Sequence, residues 1–117
     1  MPKNKNSTRY FSSKQEDYIS EMLDAKRQTN SGAGLWRKGD VIHKDASLLI
    51  ECKTCVKEKD SFSIKKEWIN KNRDEAHTQG VYNSCVAFNF GPDTDNYFVI
   101  DEKLMKMLVE KLVEEYK

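Results

Sequence analysis

The stretch Lys38–Thr54, KGDVIHKDASLLIECKT, decides how the chain is read. Its two apolar runs, DVIH from Asp40 and SLLIECKT from Ser47, predict strands joined by a turn over 44–46, hence a hairpin. Side chains alternate across a strand, so Leu49, Glu51 and Lys53 share one face while Leu48, Ile50, Cys52 and Thr54 share the other. Glu51 and Lys53 are then neighbours inside a run that otherwise builds core. A preceding strand paired alongside brings Asp40 to the same end of the sheet. Two carboxylates and an ammonium converging at a partly buried place are costly without a counter-ion. A divalent metal supplies one, since Mg²⁺ takes oxygen ligands from one or two carboxylates and completes its shell with water and phosphate. A Glu-x-Lys pair alone is also explained by a solvated strand face carrying an ion pair. Gly39-Asp40 upstream, the SGAG loop before it and an acid in the first helix weigh against that simpler account.

Outward from this stretch the elements alternate. Tyr18, Ile19, Met22 and Leu23 recur at helical spacing, predicting a first helix over about 13–25. A Gly/Ser/Asn loop, TNSGAGLWRKG, leads into the hairpin. IKKEWINKNRDEAHTQ predicts a second helix, with Ser63 as its cap and Gly80 as its left-handed stop. CVAFNF and YFVI predict two strands separated by the turn GPDTDN. A closing helix from Glu102 to about Tyr116 gathers Leu104, Met105, Leu108, Val109, Leu112, Val113 and Tyr116 on a broad apolar face. The expected fold is a single α/β domain, a mixed β-sheet flanked by helices in the order α-β-β-β-α-β-β-α. Residues 1–12 are expected to be a flexible basic tail and 13–117 the domain.

The 117 residues suffice for one core. At 38% hydrophobic and 33% charged the composition is that of an ordinary soluble protein, and no apolar run approaches the ~20 residues a membrane helix requires. MPKNKNSTRYFSSK lacks the apolar centre of a secretion signal, and three cysteines are then simplest as reduced thiols. The expected location is the cytoplasm. The net charge of +1 hides a gradient. Lys3, Lys5, Arg9 and Lys14 meet no acid in the first fourteen residues, and Lys26, Arg27, Arg37 and Lys38 flank the glycine-rich loop. Basic charge beside the unusual strand points to a phosphate-bearing partner, although a tail that merely aids solubility has the same composition.

Gly39-Asp40 followed by Glu51-Cys52-Lys53 resembles the PD-(D/E)xK nuclease signature, with Gly in place of the nominal Pro. The fuller pattern is similar to the small Holliday-junction resolvases of archaea and their short phage relatives: Glu16 in the first helix, SGAG at Ser31 to Gly34, Asp40, Glu51 with Lys53, and the lysine-bearing SFSIKKEW at Ser61 to Trp68. The likeness covers roughly residues 12–100. It implies a restriction-endonuclease-like fold and metal-dependent hydrolysis of DNA phosphodiesters in recombination, repair or phage DNA processing, in a bacterial or phage-infected cell and associated with its nucleoid. By that likeness Asp40, Glu51 and the main-chain carbonyl of Cys52 hold Mg²⁺, for which Mn²⁺ substitutes. Lys53 positions the attacking water, and Glu16 joins the site. Glu16 has a simpler role open to it, because Ser13-x-x-Glu16 is a capping-box pattern.

The expected partner is branched DNA, a four-way junction, contacted by Arg27, Ser31, Gly32, Trp36, Arg37, Lys38, Lys65 and Lys66. Trp36 could stack on a base or cover its own domain. Lys65 and Lys66 at a helix start oppose the helix dipole, which suits a nearby phosphate and equally suits plain surface lysines. A homodimer is expected, because two symmetric cuts need two acidic clusters. A non-catalytic DNA-binding adaptor and a restriction-like or nicking nuclease are the alternatives. Cys52-x-x-Cys55 could begin a zinc or redox site, but a strand sends the two thiols to opposite faces. Asp93 and Asp95 read as a turn rather than a calcium loop.

Overall fold

The computed structural model describes residues 8–28 and 40–117. They form α1 (Thr8–Leu23), β1 (Lys26–Arg27), β2 (Val41–His43), β3 (Leu48–Lys53), α2 (Lys66–Thr78), β4 (Asn83–Phe88), β5 (Tyr97–Val99) and α3 (Glu102–Glu115), the predicted order. The five strands make one mixed sheet in sequence order, β1-β2-β3-β4-β5. Only β3 and β4 run parallel, because α2 connects them as a crossover; the other pairs are antiparallel. The hairpin forms as expected. Its turn places Ser47 at φ 52°, with the Ser47 amide on the Lys44 carbonyl and the Ala46 amide on Nδ1 of His43.

Strand parity divides the core. Val41, Ile50, Cys52, Cys85 and Ala87 pack against Ile19 of α1, joined by Leu23, Ala25, Leu48 and Ile100. Ile42 and Leu49 pack on the other side against Ala76 of α2 and Val81. Asn72 is buried among these apolar groups, and its Nδ2 donates to the carbonyls of Leu49 (3.1 Å) and Cys85 (3.0 Å), tying α2 to both central strands.

Gly80 does take the left-handed position that stops α2, at φ 77°. Val81 N–H returns to Ala76 O and Gly80 N–H to His77 O, a Schellman ending. α1 ends the same way with Asp24 at φ 53°, Ala25 N–H on Ser20 O and Asp24 N–H on Glu21 O, two residues before the expected end. Its start also differs. The helix begins at Thr8, so residues 8–12, assigned above to the tail, are helical and Ser13 is interior. Of the four residues that predicted α1, Ile19 and Leu23 reach the core, while Tyr18 and Met22 are about half exposed. Ser63 does not cap α2; Lys65 holds the cap position without a side-chain hydrogen bond.

The expectation that helices flank the sheet holds for α1 and α2 but not for α3. Asp101 caps α3, its carboxylate accepting from Leu104 N–H at 2.8 Å, yet no α3 residue is buried. Among the described residues, no helix is long and apolar enough to cross a membrane.

Candidate active site at the ends of β2 and β3

Asp40 stands immediately before β2. Its amide donates to Ile50 O at 3.1 Å, which continues the hairpin ladder one step beyond β2. Its carboxylate then takes the place of the next strand residue, Oδ2 accepting from Cys52 N–H at 2.7 Å. Within a strand, the N–H and C=O of one residue point to the same neighbour, and residues two apart repeat that direction. The carbonyl of Cys52 therefore turns toward the Asp40 edge, past the end of β2.

On the α2 face, Lys53 Nζ lies 3.4 Å from Glu51 Oε2. The same ammonium is 4.6 Å from the centroid of the Trp68 ring. Lys65 Nζ lies 5.7 Å from that ring, so two cations approach one indole. Trp68 is in turn backed by Phe62, which stacks on Phe88 at 5.4 Å. Glu51, Lys53, Trp68, Glu67, Lys71 and Asn72 line a cavity of about 370 Å³. From the α1 side Glu16 approaches Asp40 and is paired with Arg27 (Oε1 to Nη2, 3.1 Å), whose other nitrogen meets Asp17 at 2.7 Å. With Ser13 inside the helix, the capping-box role of Glu16 is excluded.

The acids are electrostatically strained. Burial pushes the Glu51 carboxyl up to about 7, the charge of Asp40 adds to the rise, and Lys53 offsets part of it. Asp40 is also raised by burial, against the Cys52 amide and the charge of Lys53, which favour its ionised form. Glu16 is raised by burial first and by Asp40 second, and lowered by Arg27. Negative charge here is under-compensated by the protein itself.

This donor set fits a hard divalent cation: two adjacent carboxylates that lack full compensation, and a main-chain carbonyl aimed at the same edge. Among the described residues no group of three His, Cys, Asp or Glu side chains is assembled as a metal centre. The fit thus rests on two carboxylates and the carbonyl, with Glu16 held off by Arg27. Cys52 and Cys85 are buried thiols raised by that burial, Cys85 to about 12, and Cys55 Sγ donates to Lys57 O.

The structure brings Asp40, Glu51, Cys52 and Lys53 together, with Glu16 near Asp40 but held by Arg27. Arg27 is committed to Glu16 and Asp17. Lys65, at the cap of α2, approaches the Trp68 ring, Lys66 is the exposed first residue of that helix, and Ser31, Gly32, Trp36, Arg37 and Lys38 lie outside the described residues. Sequence reasoning missed Gln15, Asn72 and the support of Lys53 by Trp68. Gln15 is buried and its Nε2 donates to Lys53 O at 2.8 Å and to Asn96 Oδ1 at 3.1 Å. No local pattern announces a contact between residues 38 positions apart. For Trp68 a signal existed, an aromatic at the third position of a helix entered through Lys65 and Lys66. A larger cavity, about 540 Å³, lies between α1 and the 92–97 turn, away from the acids. No family model, curated protein or solved structure matches the chain.

Proposed function

We propose that this chain is a metal-dependent endonuclease of the PD-(D/E)xK type, with a restriction-endonuclease-like fold, acting on branched DNA such as a four-way junction in the cytoplasm. One observation carries the reading. Asp40, Glu51 and Lys53 meet at the ends of β2 and β3 with the ammonium 3.4 Å from one carboxylate and the other carboxylate on the Cys52 amide.

Asp40, Glu51 and the Cys52 carbonyl would hold Mg²⁺, or Mn²⁺ in its place, which supplies positive charge for the phosphate and acidifies water. Lys53 has three N–H donors. One direction is spent on Glu51 and the indole face takes another, so the remaining donor is free to orient a water or to meet charge developing on a phosphate oxygen. Gln15 fixes the main chain of Lys53 from the opposite face of the sheet. Glu16, neutralised by Arg27, sets the potential around Asp40. Lys71 lines the cavity and Lys65 approaches its Trp68 wall, and with Lys66, exposed at the start of α2, they suit the DNA backbone.

The test offers purified protein a labelled four-way junction, a Y-fork and plain duplex in parallel, with Mg²⁺ or with chelator. The proposal expects Mg²⁺-dependent cleavage, strongest on the junction. Binding without cleavage on all three would favour the adaptor reading, and equal cleavage of plain duplex a restriction-like or nicking enzyme.

A further inference from the structure

The cavity of about 540 Å³ between α1 and the 92–97 turn takes no part in the proposed reaction. Its size suits one small organic ligand. Tyr18 and Met22 on α1 and Tyr97 on β5 supply apolar walls, each about half exposed, so their surfaces stand open to a ligand. The polar lining is a chain of amides. Gln15, 4% exposed, spends both Nε2 hydrogens, on Lys53 O at 2.8 Å and on Asn96 Oδ1 at 3.1 Å. Asn96 Oδ1 also accepts from Asn89 Nδ2 at 3.2 Å, and Asn89 Oδ1 accepts from Thr54 Oγ1 at 2.7 Å and Gly91 N–H at 3.2 Å.

These bonds fix which way each amide faces. Gln15 Oε1 is buried with no hydrogen-bond partner among the described residues. Turning that amide over would set its oxygen against the Lys53 carbonyl and the Asn96 amide oxygen, so Oε1 stays the orphan. Asn96 has its oxygen doubly engaged, which leaves its NH2 as the donor. The lining thus offers an acceptor and a donor on two amides bonded to each other, beside aromatic walls. A flat ligand with a donor next to an acceptor on one edge answers both, and the Watson–Crick edge of every nucleobase has that pattern. Anions are disfavoured, because Asp93 and Asp95 outnumber Lys14, which is itself paired with Asp93 at 2.7 Å. An amine cation carries donors alone and leaves the Asn96 NH2 unanswered.

We infer that this cavity is a nucleobase-binding site, taking the base of an unpaired DNA nucleotide or of a free nucleoside against the Tyr18 and Tyr97 rings, with its polar edge on Gln15 and Asn96. The DNA source rests on the proposed nuclease reading and deepens it. Thr54, next after Lys53, lines the cavity, and Gln15 holds the Lys53 carbonyl, so a base seated there is read at the end of the strand that carries Glu51 and Lys53. Unpaired bases then select the place of cutting, as they are the ones free to leave the stack.

Metal-free binding of the full chain to a dye-labelled duplex with one unpaired adenine, against the same duplex with an abasic residue at that position, isolates the base from the shape of the bulge. The adenine is expected to tighten binding about tenfold. Tyr18→Ala and Asn96→Asp should each bring that ratio near one. Asn96→Asp keeps the oxygen that Gln15 and Asn89 use and removes the donor, its added charge acts equally on both duplexes, and Tyr18 is 57% exposed, so both variants should keep the wild-type Tm. A second arm titrates deoxyadenosine to about 10 mM and follows the side-chain amide NMR signals of Gln15 and Asn96. Shifts there with equal duplex affinities assign a free nucleoside as the ligand. The inference is overturned by the absence of both an adenine preference and deoxyadenosine shifts, or by an adenine preference that either variant retains in full. Cleavage in Mg²⁺ is scored separately: cutting without base recognition removes this inference alone, and base recognition without cutting removes the nuclease reading alone.

Discussion

The ammonium of Lys53 lies over the face of Trp68, 4.6 Å from the ring centroid, while its other side meets Glu51. A lysine on a four-carbon stem is otherwise free to leave, and the ring quadrupole adds roughly 0.5–2 kcal/mol to keep it. Trp68→Leu is therefore expected to lower the cleavage rate several-fold while leaving DNA affinity near wild type. Trp68→Phe should fall between the two. Single-turnover rates with saturating enzyme check this; an unchanged rate in Trp68→Leu would release Lys53 from that support.

The raised carboxyl of Glu51 predicts a pH dependence of stability. Its folded value, about 7, exceeds the ordinary 4.5, so between those limits the folded protein holds a proton that the unfolded chain has lost. Stability is thus highest below about 4.5 for this group and falls as pH rises toward 7, by at most ~3 kcal/mol. Without metal, Tm should decline over that window, and Glu51→Gln should flatten the decline. Mg²⁺ competes with the proton, so its stabilising shift should be larger at pH 8 than at pH 5.5. Calorimetry with and without Mg²⁺ measures both; equal shifts at the two pH values would count against Glu51 as a ligand.

Asn72 is 1% exposed and serves two strand carbonyls with one amide. Replacing it by Leu leaves both carbonyls without that donor, at a cost of about 1–3 kcal/mol. Chemical denaturation should show this as a lower midpoint with an unchanged slope. A neutral outcome would mean that the ladder alone satisfies Leu49 and Cys85.

Gly91 has φ 141°, and an added Cβ would fall 2.6 Å from the Cα of Glu58. Gly91→Ala must therefore displace the 58–59 backbone, which is joined to this turn through Lys59 N–H and Phe90 O at 2.8 Å. A loss of more than 1 kcal/mol is expected from strain and clash together. Denaturation midpoints of the variant test it, and wild-type stability would show that the segment yields freely.

The hairpin and the site were legible because parity is a local rule: once Leu48–Lys53 is a strand, the faces of Glu51 and Lys53 follow. Gly80 was legible for the same reason, as a glycine at the end of an apolar period. Helix ends without glycine were not. Asp24 supplies the left-handed turn at α1, and Ser13 imitates a cap while lying inside the helix. Burial was read least well where period and partner part company. Tyr18 and Met22 keep helical spacing but border the 540 Å³ cavity, and α3 has the strongest apolar face of the three helices yet none of its residues is buried. Long-range polar links such as Gln15 to Lys53 have no local pattern, since they exist only once α1 crosses the sheet.

Cleavage of a labelled four-way junction by wild type, Glu51→Gln and Lys53→Ala, in Mg²⁺ and alongside binding in the absence of metal, tests the central claim most directly. The account predicts that both variants bind the junction close to wild type and cut it more slowly by at least about 10²-fold. Wild-type cleavage rates in either variant, or cutting that persists undiminished with the metal chelated, would contradict it.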